Sequence, residues 1–231
     1  MKLHLRVCAA LLALALAGPA HAGDALVYVP SPQSARLFDT ASEKAGFWPL
    51  MSAFVSEQNQ AFCGVASAVM ALNALRVAPP LAPQWYPYEY WDQQNIFSRA
   101  VLEVKPVLAV QSQGLTLEEL TRLLTAAGAK AEAVHARDTD LAGFRTAARK
   151  ALADENAVLL VNVFRQTLGQ EGGGHFSPIA AYNAEADAFL FLDVARYKLP
   201  PSWIPAERLF AAMNTEDTSV HKSRGYIIVR K

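Results

Sequence analysis

The chain has 231 residues, of which 52% are hydrophobic and 18% are charged, and its formal net charge is zero. This composition is typical of a globular protein and excludes a disordered chain. The balanced charge gives no electrostatic basis for binding nucleic acid or an acidic membrane surface.

Residues 1–22 are predicted to be a cleaved signal peptide. Two basic residues precede a short apolar run at 8–18, and Ala-His-Ala at 20–22 matches a small-x-small cleavage site. The alternative is an uncleaved anchor, but the run is shorter than the roughly 20 apolar residues of a transmembrane helix. We therefore expect a single domain at residues 23–231 that is periplasmic or secreted and has no membrane segment after cleavage.

The first predicted elements are a short strand at 26–29 and a central helix at 63–76. The helix segment is rich in Ala, Leu, Val and Met on nearly every side, which indicates burial all round. A proline-rich break follows it. Residues 96–105 are predicted to form another helix, which ends before Pro106.

The next predicted helix has the clearest boundaries in the sequence. Thr116 and Glu119 form a capping box, four leucines make an apolar stripe, and Gly128 closes the C-terminal end. A strand at 131–136 and an amphipathic helix at 140–153 are predicted to follow.

The second half of the chain is dominated by predicted strands. Apolar, β-prone runs occupy residues 157–164, 175–182, 188–194 and 225–230. The helical first half and strand-rich second half predict an α+β domain, with helices packed on one side of an antiparallel sheet.

Cys63 is the candidate nucleophile. The other cysteine, Cys8, lies in the predicted signal peptide, so the mature protein would keep one thiol and no internal disulfide. Cys63 opens the buried helix, where the helix dipole and free backbone N–H groups favour a thiolate. The alternative interpretation is a buried, inert cysteine.

His175 and Asp193 are the candidate partners of Cys63. His175 follows three glycines and opens a strand, and Asp193 ends an apolar strand where an unpaired carboxylate would be costly. If the two strands form a hairpin, both side chains lie at the same end of neighbouring strands. Asp193 would then orient a His175 base for Cys63, which is the papain-like plan of a nucleophile on a helix and its partners on a sheet.

The sequence resembles the phytochelatin synthase family, in particular its short bacterial members. The resemblance rests on NQAFCGVASAVMALNAL at 59–75 and on the glycine- and histidine-containing stretch at 172–205, and it continues through 209–218 and 222–226. Residues 77–156 are the least diagnostic part. These motifs are long and specific, and together they cover most of the predicted mature chain.

The resemblance implies a papain-like cysteine-protease fold and a specific reaction. Members of the family cleave glutathione between cysteine and glycine through a γ-glutamylcysteinyl thioester. Plant members transfer the acyl group to a second glutathione, which builds phytochelatins, whereas short bacterial members resemble hydrolases with weaker transfer. The implied roles are Cys63 as nucleophile, His175 as general base and Asp193 as its orienter.

The oxyanion position departs from the family pattern. The family usually has a glutamine six residues before the cysteine, but this chain has Glu57 there and Gln58 at the next position. An ionised carboxylate cannot donate a hydrogen bond to an oxyanion. Either Gln58 reaches into the hole, or Glu57 occupies it and activity is reduced.

Arg224 is the first candidate ligand for the anionic γ-glutamyl end of the substrate, because an arginine fork suits a carboxylate. Asn162 and Arg165 are neighbouring candidates, and Arg165 could equally be an ordinary surface basic group.

No zinc-ligand cluster is evident in the sequence, so no bound cofactor is expected. The resemblance implies that heavy-metal ions such as cadmium and zinc act through a metal–thiolate substrate. The expected partners are glutathione and related γ-glutamyl thiol peptides, with a homodimer left open. Two alternatives remain: a papain-like peptidase of the bacteriocin-leader type, and a catalytically dead domain that binds thiol peptides.

Overall fold

A seven-stranded antiparallel sheet lies at the centre of the computed structural model, which describes residues 25–231. The predicted signal peptide at 1–22 lies outside the described residues. The strands, in chain order, are β1 (Val27–Tyr28), β2 (Lys130–His135), β3 (Ala157–Phe164), β4 (Gly174–Asn183), β5 (Ala188–Phe191), β6 (Ser202–Pro205), β7 (Glu216–Asp217), β8 (Lys222–Ser223) and β9 (Gly225–Arg230). The order across the sheet is β1-β6-β5-β4-β3-β9-β2, and β7 pairs with β8 in a separate ribbon.

Helices of 6–12 residues connect and cover the strands. They are α1 (Pro32–Asp39), α2 (Phe47–Ser52), α3 (Cys63–Ala74), α4 (Arg99–Val104), α5 (Val107–Gln113), α6 (Leu117–Ala126), α7 (Leu141–Leu152) and α8 (Ala206–Met213), with 3-10 turns at Pro83–Trp85, Ala136–Asp138 and Arg165–Leu168. Within residues 25–231, no helix combines the length and hydrophobicity that crossing a bilayer requires.

The clearest sequence signals are confirmed. The α6 helix begins at its capping box: the Thr116 hydroxyl accepts from the Glu119 N–H, and the Glu119 carboxylate accepts from the Thr116 N–H. The predicted hairpin is present, since β4 and β5 are antiparallel neighbours. The α3 helix is buried from Cys63 through Leu72, as its composition indicates.

The helices cover both faces of the sheet, which corrects the prediction that they pack on one side. Alternate residues of β3 belong to two separate apolar clusters: Leu160 packs with residues of α3 and α6, and Leu159 packs with residues of α7 and α8. Because helices cover both faces of β3, its residues need not alternate between apolar and polar, and the strand is a continuous apolar run. The α+β assignment itself is consistent with the mixed helices and antiparallel sheet.

One end of the sheet brings the candidate residues together. Because β4 and β5 are antiparallel, the start of β4 at Gly174 and the end of β5 at Phe191 lie at the same end. The α3 helix packs against β4 and begins with Cys63. Arg224 directly precedes β9, and Asn162 lies opposite Phe176 in the β3–β4 pair.

Candidate active site

Cys63 is the first residue of α3 and is 7% exposed. A tight turn precedes the helix: the Phe62 N–H donates to the Asn59 carbonyl over 3.0 Å, and the Ala61 N–H donates to Asn59 Oδ1 over 3.0 Å. At the first turn of a helix the N–H groups have no acceptor within the helix itself. The thiol therefore lies beside backbone donors and the positive end of the helix dipole.

His175 connects the thiol to the sheet. Its Nε2 lies 2.9 Å from Asp193 Oδ1 and 3.0 Å from Ser177 Oγ, which leaves Nδ1 for Cys63. Burial alone would lower the pKa of His175, but hydrogen bonds with Asp193 and Cys63 raise it to about 9. The arrangement therefore favours an imidazolium beside the thiol, with Asp193 holding the ring.

Asp193 is held by a buried arginine. Arg165 donates from Nη1 to Oδ2 and from Nη2 to Oδ1, both over 2.8 Å, and the Ala195 N–H donates to Oδ1 over 2.9 Å. Burial raises the pKa of Asp193, but the hydrogen bonds from His175 and Arg165 outweigh it and hold the pKa well below its usual range. Asp193 therefore stays ionised and can stabilise a charged His175.

The position of Arg165 differs from both sequence-based expectations, because its side chain is buried against Asp193. It was expected beside Arg224 as a ligand for the substrate or as a surface group, yet it is 3% exposed and its guanidinium contacts Asp193 and Gln170. It contacts the orienting carboxylate and so acts as a positioning residue. No sequence pattern indicated this pair, because the two residues are 28 positions apart and meet only through the sheet.

We predict that Arg165→Met strongly destabilises the fold. The substitution would leave the buried Asp193 charge without its bidentate arginine partner and with only His175 and the Ala195 N–H as donors. Removing one partner of a buried ion pair costs about 3–5 kcal/mol. Arg99→Met is the control, since its pair with Glu103 is exposed and should contribute at most about 0.5 kcal/mol. Urea unfolding measures both, and similar free energies of unfolding for the two variants would contradict the positioning role.

Glu57 is buried at the thiol, whereas the Gln58 side chain is exposed. The Glu57 N–H donates to the Val194 carbonyl over 2.8 Å, and Oε1 accepts from the Tyr197 hydroxyl over 2.6 Å. Oε2 is buried and has no hydrogen-bond partner among the residues that the structure describes. Burial and the Glu57 carboxylate raise the pKa of Tyr197 to about 12, so Tyr197 remains a donor at neutral pH.

Gln93 fixes the loop that carries Glu57, a contact that sequence reasoning missed. Its Oε1 accepts from the Gln58 N–H over 3.0 Å, and its Nε2 donates to the Ser56 carbonyl over 2.8 Å. Gln93 is only 5% exposed. A single buried amide thus pins the backbone on both sides of Glu57, and this explains why residue 57 rather than 58 faces the thiol.

A cavity of about 540 Å³ adjoins Cys63 and contains Arg224 and Asn162 in its wall. Arg224 Nη1 lies 3.3 Å from Asn162 Oδ1 and 3.5 Å from Asp217 Oδ2, and its buried Nε has no hydrogen-bond partner in the described part of the chain. Burial lowers the pKa of Arg224, against the opposing effect of Asp217. The structure thus brings Arg224 and Asn162 together beside the thiol, with guanidinium donors available to an anionic group.

Three potential metal ligands also meet at this point. A carboxylate oxygen of Glu57, the sulfur of Cys63 and an imidazole nitrogen of His175 lie within 4.8 Å of one another. No local sequence pattern indicates this group, because His175 is distant from Glu57 and Cys63 in the chain and meets them only through the packing of α3 against β4.

Comparisons with known proteins agree with the resemblance. A family model described as phytochelatin synthase matches residues 20–226. Glutathione gamma-glutamylcysteinyltransferase 2 of Arabidopsis thaliana is 35% identical over 200 residues, which is 85% of this chain and 43% of that protein. Glutathione gamma-glutamylcysteinyltransferase 1 of Lotus japonicus is 35% identical over 205 residues, covering 87% and 40% of the two chains. The glutathione gamma-glutamylcysteinyltransferase of Schizosaccharomyces pombe is 28% identical over 183 residues, covering 79% and 43%. The chain spans about two fifths of the length of these relatives.

Proposed function

The chain belongs to the phytochelatin synthase family, and on that basis we propose that it is a cysteine enzyme that cleaves glutathione at its Cys–Gly bond. The observation that carries the proposal is the buried Cys63–His175–Asp193 arrangement beside a cavity that contains Arg224. The nucleophile begins a helix, His175 lies on β4, and Asp193 follows the end of β5 by two residues, which supports a papain-like arrangement.

In the proposed acylation step, the Cys63 thiolate attacks the carbonyl carbon of the cysteinyl residue in glutathione. The resulting tetrahedral intermediate collapses with loss of glycine, whose nitrogen takes a proton from the His175 imidazolium. This leaves γ-glutamylcysteine on Cys63 as a thioester and His175 neutral. Asp193 stabilises the imidazolium before this transfer and fixes the ring after it.

Neutral His175 then takes a proton from water, which attacks the thioester and releases γ-glutamylcysteine. The amino group of a second glutathione can replace water as the acceptor, and the product is then a phytochelatin. We propose that hydrolysis dominates and that transfer is the slower branch. Cadmium or zinc ions would enter the transfer reaction as thiolates of glutathione, not as a resident cofactor.

One assay separates this proposal from its rivals. The protein is incubated with glutathione in the presence of a chelator, and free glycine and γ-glutamylcysteine are quantified by chromatography. Glycine release supports the proposal. Cleavage only of a Gly-Gly leader peptide would favour a bacteriocin-type peptidase, and glutathione binding without any cleavage would favour an inactive binding domain. Either outcome would reject glutathione cleavage.

We predict that Arg224→Gln raises the KM for glutathione roughly 10- to 100-fold with a smaller effect on kcat. The guanidinium is the proposed ligand of the γ-glutamyl α-carboxylate, and a hydrogen bond to a charged group contributes about 1.5–3 kcal/mol. Arg122→Gln, on α6, provides a matched control away from the cavity wall. An Arg224→Gln variant with unchanged KM would place the carboxylate elsewhere.

We also propose that the protein works in the periplasm or outside the cell. The support is the basic, apolar and Ala-His-Ala pattern of residues 1–22. Mass spectrometry of the protein from its native host should then find a chain that begins near Gly23. Recovery of the full-length chain in the membrane fraction would instead support an uncleaved anchor.

A further inference from the structure

The Glu57, Cys63 and His175 side chains offer three different donor atoms to one point. The three atoms lie within 4.8 Å of one another, and each residue is buried, with exposures of 6%, 7% and 4%. In a tetrahedral zinc site with usual bond lengths, ligand atoms stand about 3.4–3.6 Å apart. A contraction of roughly 1 Å, within the reach of a glutamate rotamer, would therefore bring all three into contact with one ion.

Contacts outside this group already direct the donors inward. Asp193 accepts from His175 Nε2, which leaves Nδ1 towards Cys63, as carboxylates commonly do for metal-bound histidines. Tyr197 holds Glu57 Oε1 over 2.6 Å, and within residues 25–231 Oε2 has no hydrogen-bond partner. A buried polar oxygen without a hydrogen bond is costly, and a cation at this point would satisfy it.

We propose that Glu57, Cys63 and His175 bind one divalent ion of the zinc class and that the bound ion switches the enzyme off. On binding, the ion displaces the proton from the His175 nitrogen that faces Cys63. The resulting donor set of thiolate, imidazole and carboxylate suits zinc, and the fourth position stays open for water or a thiol. Two anionic ligands match the charge of the ion. Because the ion would occupy both the nucleophile and the base, acylation cannot start until it leaves. The inhibitory part rests on the proposed function, whereas ion binding does not.

Binding is tested without glutathione, so that its outcome is independent of catalysis. Zinc is titrated into the apo protein by calorimetry, and cobalt(II) is used in parallel because a thiolate ligand gives it a charge-transfer absorption band. We expect one ion per chain. Glu57→Gln should weaken zinc binding more than about 100-fold, since losing outer contacts of a metal site alone costs 10- to 100-fold. Glu216→Gln, in the exposed His221–Glu216 pair, should bind like the native chain.

Alkylation of Cys63 by iodoacetamide provides the second readout. Zinc should protect Cys63 in the native chain, a chelator should restore labelling, and Glu57→Gln should be labelled at the same rate with or without zinc at the concentrations used. Urea unfolding of Glu57→Gln beside the native chain shows whether the variant is folded, and its labelling in the absence of zinc shows that the thiol is still reactive. Unprotected Cys63 in the native chain, or equal zinc affinity in Glu57→Gln and the native chain, would overturn the site.

Inhibition is measured separately as glycine release at free zinc concentrations set by a metal buffer, because glutathione itself binds zinc. Native glycine release should fall as the site fills, while Glu57→Gln should keep its rate over the same range. Unchanged native release at saturating zinc would overturn the inhibitory role. Absence of release at every zinc concentration would reject the proposed function but would leave zinc binding and protection as measured.

Discussion

Cys63→Ser is expected to abolish the release of glycine from glutathione. Replacing a catalytic nucleophile typically lowers kcat by four or more orders of magnitude, because the rest of the site cannot form the acyl intermediate. A serine hydroxyl beside His175 is a much weaker nucleophile than the thiolate of an ion pair. The measurement is free glycine over time, together with mass spectrometry of the acid-quenched native protein, which should reveal a γ-glutamylcysteinyl group on Cys63.

Ser67→Ala is the matched control for this experiment. Ser67 lies one turn further along α3 and is fully buried, and its hydroxyl has no hydrogen-bond partner from position 25 onwards, where the structure describes the chain. Removing that hydroxyl should therefore leave both the fold and glycine release intact. If Cys63→Ser released glycine as fast as Ser67→Ala, a thioester mechanism could not be correct for this protein.

The second large expected effect is a gain of activity in Glu57→Gln. A carboxylate oxygen of Glu57 lies within 4.8 Å of the Cys63 sulfur, and no group among residues 25–231 donates to Oε2, so the oxyanion that develops during attack meets an acceptor where a donor is needed. In the variant, Tyr197 should continue to donate to the side-chain oxygen at the Oε1 position. The amide N–H₂ then takes the place of Oε2 and supplies the missing donor.

We expect Glu57→Gln to accelerate acylation roughly 10- to 1000-fold, the range that one oxyanion donor contributes in other enzymes. Single-turnover glycine release in the presence of a chelator measures this step without interference from metal. Gln58→Ala should be nearly silent, because its side chain is exposed and only its backbone is held by Gln93. A large loss in Gln58→Ala with no gain in Glu57→Gln would show that Gln58 supplies the donor.

The sequence predicted the elements that carry strong local signals. The capping box predicted the start of α6, and the apolar runs predicted the bounds of β3 and β9. The β4–β5 hairpin was predicted from two neighbouring strand signals. The helix predicted at 96–105 is present as the shorter α4, but the short helices α1, α2, α5 and α8 were missed, because such helices gain most of their stability from packing and not from their own sequence. A usable signal existed for α1, where Ser31 caps the helix and Pro32 occupies its first turn.

The candidate site was predictable only in part, for a similar physical reason. Cys63, His175 and Asp193 could be proposed from their positions at element ends, and the structure brings these three together. The roles of Arg165 and Gln93 depend on contacts between distant segments, which no local pattern encodes. The group formed by Glu57, Cys63 and His175 depends on the same long-range packing.

The position of β4 in the sheet determines how the site responds to local opening. This strand is fourth of seven, with three strands on either side, and it begins with Gly174 and His175. Backbone amides in such a central strand exchange with solvent mainly through global unfolding, whereas edge strands open first. Fraying of β1 or β2 at the edges therefore leaves His175 paired with Val163 of β3. We expect the catalytic base to keep its position until the centre of the sheet itself unfolds.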